Sequence, residues 1–305
     1  VPEGVARCFI LQVPDGTFLV NNMAFPYMDD PESFAEDIAD KRLREAVAGH
    51  RAWLSVDALG EVRRDEKPAT YRAIGKLIAE AGFPAGVVNL LSGHGEVGRV
   101  LTSHPLVARI SFTGGPGAAR HILRNSAENF AEVSLELGGK SPFVVFEDAD
   151  LESAVNGSVA GIFGATGQSC VAGSRLIVHE AVAEEFLARM VAAAEAIRIG
   201  DPLEDDTQMG PLCTEGQLRH IEAQVALAVT EGAKVLTGGR QPGLGGTYYE
   251  PTIIDCPSPD LTIVDTELFG PVLSVLRFKD EAEAIRLANQ SEHGLAAGVF
   301  TRDGA

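Results

Sequence analysis

From Gly82 onward the chain alternates short apolar runs with Ala-rich stretches whose apolar positions recur at helical spacing. The runs are GVVNLLSG, VARISFTGG, EVSLELGG, SPFVVF, SRLIVHE and AKVLTGG. Runs this brief and this uniformly apolar, bounded by glycine and separated by helices, predict strands buried on both faces of a parallel sheet, so the expected fold class is α/β. Ahead of Gly82 the texture differs. Residues 9–21 read FILQV-PDG-TFLVN, two β-rich runs around a Pro-Asp-Gly turn, which predicts a hairpin. Asp30-Pro31 opens a helix on which Phe34, Ala35, Ile38, Ala39, Leu43, Ala46 and Val47 share a face. Arg51–Leu59 reads as a third strand, the highly charged Gly60–Lys67 as a boundary, and Ala69–Ala81 as a further helix. A small α+β module therefore precedes the α/β part. The acidic, Gly-rich stretch 200–210 and the turn-rich stretch 237–246 are expected as surface loops.

Length and composition narrow the possible roles. A chain of 305 residues with 45% hydrophobic positions suffices for about two domains, each with a real core. The net charge of −18, with no compensating basic patch, argues against a nucleic-acid partner. No apolar run reaches membrane-spanning length and Val1–Arg7 lacks the order of a signal peptide, so the expectation is a soluble, cytoplasmic protein without a membrane partner. Cys8, Cys170, Cys213 and Cys256 stand far apart with no CxxC, so an important cysteine would act as a thiol, and no metal is expected.

Several positions carry candidate chemistry. Gly93-His94-Gly95-Glu96-Val97-Gly98 matches GxGxxG between a predicted strand and a predicted helix, where backbone amides can face a phosphate. The usual acid about twenty residues later is absent, and a turn that simply needs small residues explains the run equally well. A second strand–glycine–helix unit, Phe112-Thr113-Gly114-Gly115-Pro116-Gly117, strengthens a nucleotide site. Cys170 lies among tiny neighbours in ATGQSCVAGSR, which let a substrate approach the sulfur, although an isolated buried cysteine is more often just a small hydrophobe. Glu136 interrupts the strand pattern VSLELGG; a carboxylate there is costly to bury and is either strand-end decoration or a general base. Glu267, in DTELFGPV, would by itself pass as a solvated loop acid.

Taken together, FTGG, LELGGKSP, GQSC and ELFGPV, in this order and at these spacings, resemble the NAD(P)-dependent aldehyde dehydrogenase superfamily from about Ala79 to Ala305. AEAGFPAGVVNLLSG, GPLCTEGQ at 210–217, YYEPTII at 248–254 and ANQSEHGLAAGVFT at 288–301 extend the resemblance. It implies a partial NAD(P)-binding domain over 79–138 and a catalytic domain over 139–305. It further implies that Cys170 attacks an aldehyde carbon, that hydride passes to NAD or NADP, and that water activated by Glu136 hydrolyses the resulting thioester to a carboxylic acid. Glu267 would bind the nicotinamide ribose and Phe269 would flank the nicotinamide. Gly93, Gly98, Phe112, Thr113, Gly114, Gly115, Leu137 and Gly138 would also lie against the dinucleotide. The family's different way of holding NAD removes the need for the missing acid.

The departures shape the expectation too. The family's Trp-Asn and Lys-Pro-Ser-Glu motifs are absent; Lys67-Pro68-Ala69 echoes the latter but lies too close to Ala81-Gly82 to be its counterpart. Residues 1–78 are instead similar to an uncharacterised bacterial domain family with a VNN…HRAWLSVD…YRxIGKL pattern. Ala305 precedes the family's closing loop and oligomerisation strand. The expectation is a chimeric or C-terminally truncated aldehyde dehydrogenase that binds NAD weakly, turns over aldehyde poorly or not at all and forms a homo-oligomer only with difficulty. An NAD-independent Cys/Glu esterase or thioesterase, and a catalytically dead fusion serving as an interaction module, are the alternatives.

Overall fold

The computed structural model describes residues 7–12, 18–23, 53–55, 80–81, 89–91 and 95–304. The expected helices over 30–47 and 69–81 fall outside these residues except for Glu80 and Ala81. The chain divides into two units, Val1–Leu137 and Gly138–Ala305.

In the first unit, β1 (Arg7–Gln12) and β2 (Phe18–Met23) form the expected antiparallel hairpin, in register from Arg7 opposite Met23 to Gln12 opposite Phe18. Sequence reading set residues 1–78 apart as a module, yet β1 runs parallel to β5 (Arg109–Gly114), with Cys8 opposite Ile110 and Leu11 opposite Thr113. A parallel partner, β6 (Glu132–Leu137), completes a four-stranded sheet in the order β2-β1-β5-β6. The first glycine unit departs from expectation. Its strand β4 (Asn89–Leu91) pairs antiparallel with β3 (Trp53–Ser55) and not with β5. Apolar texture sets which face a strand buries, but not which edge it finds.

Helices α1 (Gly95–Thr102) and α2 (Pro116–Ser126) cover this sheet. Pro116 occupies the first turn of α2, where a missing N–H costs nothing and a fixed φ helps. Val97 and Leu101 of α1 and Ala119 and Ile122 of α2 pack against Ile110 and Phe112 of β5. Asn125 Nδ2 donates to Thr102 Oγ1 at 2.8 Å, and Asn129 Nδ2 donates to the His104 carbonyl at 2.7 Å, tying the ends of the two helices together.

The second unit contains a six-stranded sheet in the order β12-β7-β8-β11-β10-β9. Its strands are β7 (Pro142–Val145), β8 (Arg175–His179), β9 (Lys234–Thr237), β10 (Thr252–Asp255), β11 (Val272–Phe278) and β12 (Gly298–Phe300). All neighbours are parallel except β9, which runs antiparallel to β10, so the AKVLTGG run is a correction to the all-parallel expectation. Strand alternation divides the apolar side chains between two cores. Val145, Leu176, Val178, Leu273 and Val275 face α3 (Leu151–Phe163) and α4 (Glu180–Glu195). Val144, Ile177, Ile254, Val272, Leu276 and Phe278 face α5 (Glu215–Thr230), α6 (Thr262–Asp265) and α7 (Glu281–Ala288). Both faces are covered, which is why these strands read as continuous apolar runs. Residues 200–210 carry no helix or strand apart from the isolated bridge that joins Met209, near their end, to Ile199, and of the expected loop 237–246 only Thr237 belongs to a strand, β9.

Candidate active site

Helix α3 starts at Asp150, whose carboxylate accepts the Ser153 N–H at 2.9 Å, and runs directly into a tight 3-10 turn, Gly164–Gly167. There the backbone turns left-handed at three successive residues, Ala165 (φ 49°), Thr166 (φ 58°) and Gly167 (φ 68°). For a β-branched residue such as Thr166 this is sterically costly and needs support. Support is present. Thr166 Oγ1 donates to the Gly210 carbonyl at 3.2 Å, and the following residue must be glycine, since a Cβ on Gly167 would lie 2.1 Å from the Gly270 carbonyl oxygen. The Gln168 N–H returns to the Ala165 carbonyl at 3.0 Å, and the Gln168 side-chain oxygen accepts the Cys213 N–H at 3.0 Å. This turn presents Cys170 half-buried.

Gly138 and Gly139 stand between that turn and a second loop. The Gly139 N–H donates to Glu267 Oε1 at 3.2 Å, and a Cβ on Gly138 would sit 2.0 Å from Glu267 Oε2, so the carboxylate lies directly on the glycine pair. On Gly139 a Cβ would be 3.0 Å from the Cys170 carbonyl oxygen. Glu267 is therefore no solvated loop acid: it is held, partly buried, against the backbone that also abuts the Cys170 turn. Two residues on, Phe269 adopts φ 52°. Its carbonyl and that of Leu268 accept from the Gln217 side-chain amide, the former at 3.1 Å.

In the first unit, the register of β5 and β6 sets Glu136 opposite Thr113 and Leu137 opposite Gly114. The LELGG and FTGG motifs thus end side by side at the carboxyl ends of parallel strands, the usual place for a ligand in such a sheet. Glu136 is exposed, where the strand pattern had suggested burial, because β6 lies at the margin of the described sheet and stops one residue later. Phe112 needs correction as a cofactor residue: its side chain is fully buried in the core beneath α1 and α2, so only its backbone can face a ligand. Gly93 falls outside the described residues. Gly98 lines a cleft of about 280 Å³ between α1 and α2, together with Gly95, Arg99, Thr102, Ala118, His121 and Asn125. Gly95 and Gly115 have open space where a Cβ would stand, and no side chain caps α2 at Gly115. The cleft and the uncapped start of α2 leave backbone amides able to face an anion.

Sequence reading missed several residues around this site. Lys140, next to the glycine pair, is buried, and its Nζ finds no hydrogen-bond partner among the described residues. Burial lowers its pKa to about 7. Arg175 is buried beside it but fully used: Nε donates to the Lys140 carbonyl, and the two terminal nitrogens donate to the Leu287 and Ala288 carbonyls at the end of α7, each at 2.8 Å. Gln217 had a visible signal as the last residue of Thr214-Glu215-Gly216-Gln217, the spacing of a helix-capping box. Of the other thiols, Cys256 is buried, which pushes its pKa up to about 11, and Cys213 is exposed. Among the described residues no cluster of His, Cys, Asp or Glu could hold a metal, and no helix is long and apolar enough to cross a membrane.

The family model of the aldehyde dehydrogenase family matches residues 64–305. The chain belongs to the aldehyde dehydrogenase family. The match starts earlier than the expected onset near Ala79. A (Z)-2-((N-methylformamido)methylene)-5-hydroxybutyrolactone dehydrogenase of Acinetobacter baylyi is 56% identical over 239 residues, covering 78% of this chain and 49% of its own. A betaine aldehyde dehydrogenase of Brucella ovis is 42% identical over 262 residues, covering 83% and 54%. The NAD+ complex of an aldehyde dehydrogenase from Bacillus cereus superposes with a TM-score of 0.75 at 41% identity, covering 78% of this chain and 48% of that one. This aldehyde dehydrogenase chain spans about half the length of the curated relatives it matches.

Proposed function

We propose that the protein oxidises an aldehyde to a carboxylic acid through a covalent adduct on Cys170, with NAD or NADP as the oxidant. The observation that supports it most is the convergence on Gly138-Gly139 of the Glu267 carboxylate from one loop and the Cys170 turn from another. Cys170, as thiolate, adds to the aldehyde carbon to give a thiohemiacetal, splitting one difficult oxidation into two easier steps. A nicotinamide cofactor, when bound, would supply the hydride acceptor that lets this adduct become a thioester. Glu136 takes a proton from a water that attacks the thioester, releasing the acid and the Cys170 thiolate. Glu267 would hold a ribose hydroxyl of the cofactor and Phe269 would flank its nicotinamide, while Thr113, Gly114 and Gly115 would hold its phosphate side. Leu137 and Gly138 would also lie against the dinucleotide. We take cytoplasmic placement and assembly into a homo-oligomer as part of the same reading.

The substrate class follows from the 56%-identical relative, named for a 5-hydroxybutyrolactone. Such a ring is the closed form of an aldehyde that carries a carboxylate three bonds away, so we infer a small polar aldehyde able to close on itself. Incubation with a four-carbon aldehyde acid or betaine aldehyde, with NAD or NADP, should produce reduced cofactor with the wild type and none with Cys170→Ser. Ester hydrolysis that proceeds equally without cofactor, in the absence of any aldehyde oxidation, would replace this reading with a hydrolase.

A further inference from the structure

Three segments of the second unit meet behind the reacting groups. In a capping box the third residue of the helix turns its side chain back to the N-terminal amide. Only the first half of that arrangement is used to hold α5: Thr214 Oγ1 accepts the Gln217 N–H at 3.1 Å, while the Gln217 amide nitrogen reaches across to the carbonyls of Leu268 and Phe269. Those two carbonyls bracket the left-handed Phe269, immediately after Glu267. One turn along α5, Ile221 lies over Gly270, so near that a Cβ there would come within 2.2 Å of Ile221 Cδ1. The loop leading into α5 does the same for the nucleophile's turn, through Gly210 to Thr166 and Cys213 to Gln168. The two gripped segments also touch each other, backbone to backbone, at Gly167 and Gly270.

We infer that Gly210–Gln217 is a brace that fixes the register between the Cys170 turn and the Glu267–Phe269 loop, with Gln168 and Gln217 as its positioning residues. Neither residue has to touch the reacting atoms. Left-handed backbone at Ala165, Thr166 and Phe269 relaxes unless it is held, and these side chains supply the hold. Gln suits position 217 because it is a neutral donor aimed at two carbonyl oxygens, where a carboxylate would repel both. The kinetic consequence rests on the reading of Cys170 as nucleophile, but the mechanical coupling does not.

The test is the alkylation rate of Cys170 in the full chain by limiting iodoacetamide, resolved by peptide mass, in wild type, Gln217→Leu, Gln217→Glu, Gln168→Leu and Val225→Ala. Val225→Ala weakens the α5 core away from both loops and controls for lost stability. Gln217→Leu and Gln168→Leu should each raise the Cys170 rate about three- to tenfold, the factor expected from losing one or two ordinary hydrogen bonds. Gln217→Glu should depart further, and Val225→Ala should stay near wild type. Where NAD-dependent turnover is measurable, Gln217→Leu should also raise KM for NAD by a similar factor. Equal Cys170 rates in wild type and both Gln217 variants, or a Val225→Ala rate that rises as much as theirs, would overturn the brace. An altered rate in a protein with no aldehyde oxidation keeps the brace and removes the proposed function.

Discussion

Of the three places where described non-glycine residues take left-handed backbone, the Ala165–Thr166 turn and Phe130 contrast most. At Ala165 and Thr166 the strained residues lie beside the candidate nucleophile, Thr166 is buried, and a hydrogen bond to Gly210 and contact with Gly270 hold them. At Phe130 the strained residue is 93% exposed on a turn of the first unit, beside Asn129, which bonds to Ala131, Thr102 and His104. The backbone cost is alike at both, of order one or two kcal/mol per residue. What differs is the surroundings. Strain enclosed by packing from other segments fixes a geometry; strain at the surface records a local turn.

The sharpest way to break the contrast is Gly167→Ala. Its Cβ would collide with a backbone oxygen that has no side-chain freedom to yield, so a loss of at least about 3 kcal/mol and of all Cys170-dependent activity is expected. Retention of wild-type thermal stability would show that the turn is not enclosed.

Lys140 tests whether the enclosed region stores electrostatic cost as well as backbone strain. Its pKa is lowered from 10.5 to about 7 by burial, so between these values the unfolded chain binds the proton that the folded one does not. Stability therefore rises with pH through that window, and the cost is fully present below about pH 7. Lys140→Met should remove this slope and stabilise the protein at pH 6.5 by an amount of order a few kcal/mol. A stability profile from pH 6.5 to 10 identical to wild type would contradict the burial of an uncompensated amine.

A smaller effect is expected of Thr166→Val, which keeps shape and branching but removes the donor to Gly210. It should cost about 1 kcal/mol and lower turnover more than stability alone explains. The smallest belongs to the exposed site. Phe130→Asn, better suited to left-handed backbone, should leave aldehyde oxidation unchanged and raise stability by up to about 1 kcal/mol in a thermal melt. A fall in turnover with Phe130→Asn would erase the distinction between the two strained places.

Local pattern, on its own, determined the α/β class, the hairpin over residues 9–21, the strands β4 to β9 and the helices α1 and α2, whereas β10, β11 and β12 lie outside the runs it singles out. Period and glycine punctuation depend only on neighbours along the chain. It also marked Cys170 and Glu136, a reactive and a charged residue set in a small or apolar context, while Glu267 came forward only through the family resemblance. Tertiary structure alone decided the rest. That β4 pairs with β3, that β1 lies beside β5 and that β9 runs antiparallel follow from which edges meet, and an apolar run does not encode its partner. Phe112 reads as part of a glycine-rich cofactor turn, but alternation along β5 points its ring into the core. Lys140 looked like an ordinary charge after two glycines, and only the tertiary packing near Cys256, Arg175 and Glu267 buries its amine. Gln217 looked like half a helix cap, and only the arrival of a loop some fifty residues later in the chain gives its amide two other carbonyls to hold. Contacts between distant segments are settled by the geometry of the whole unit, to which no short stretch of sequence has access.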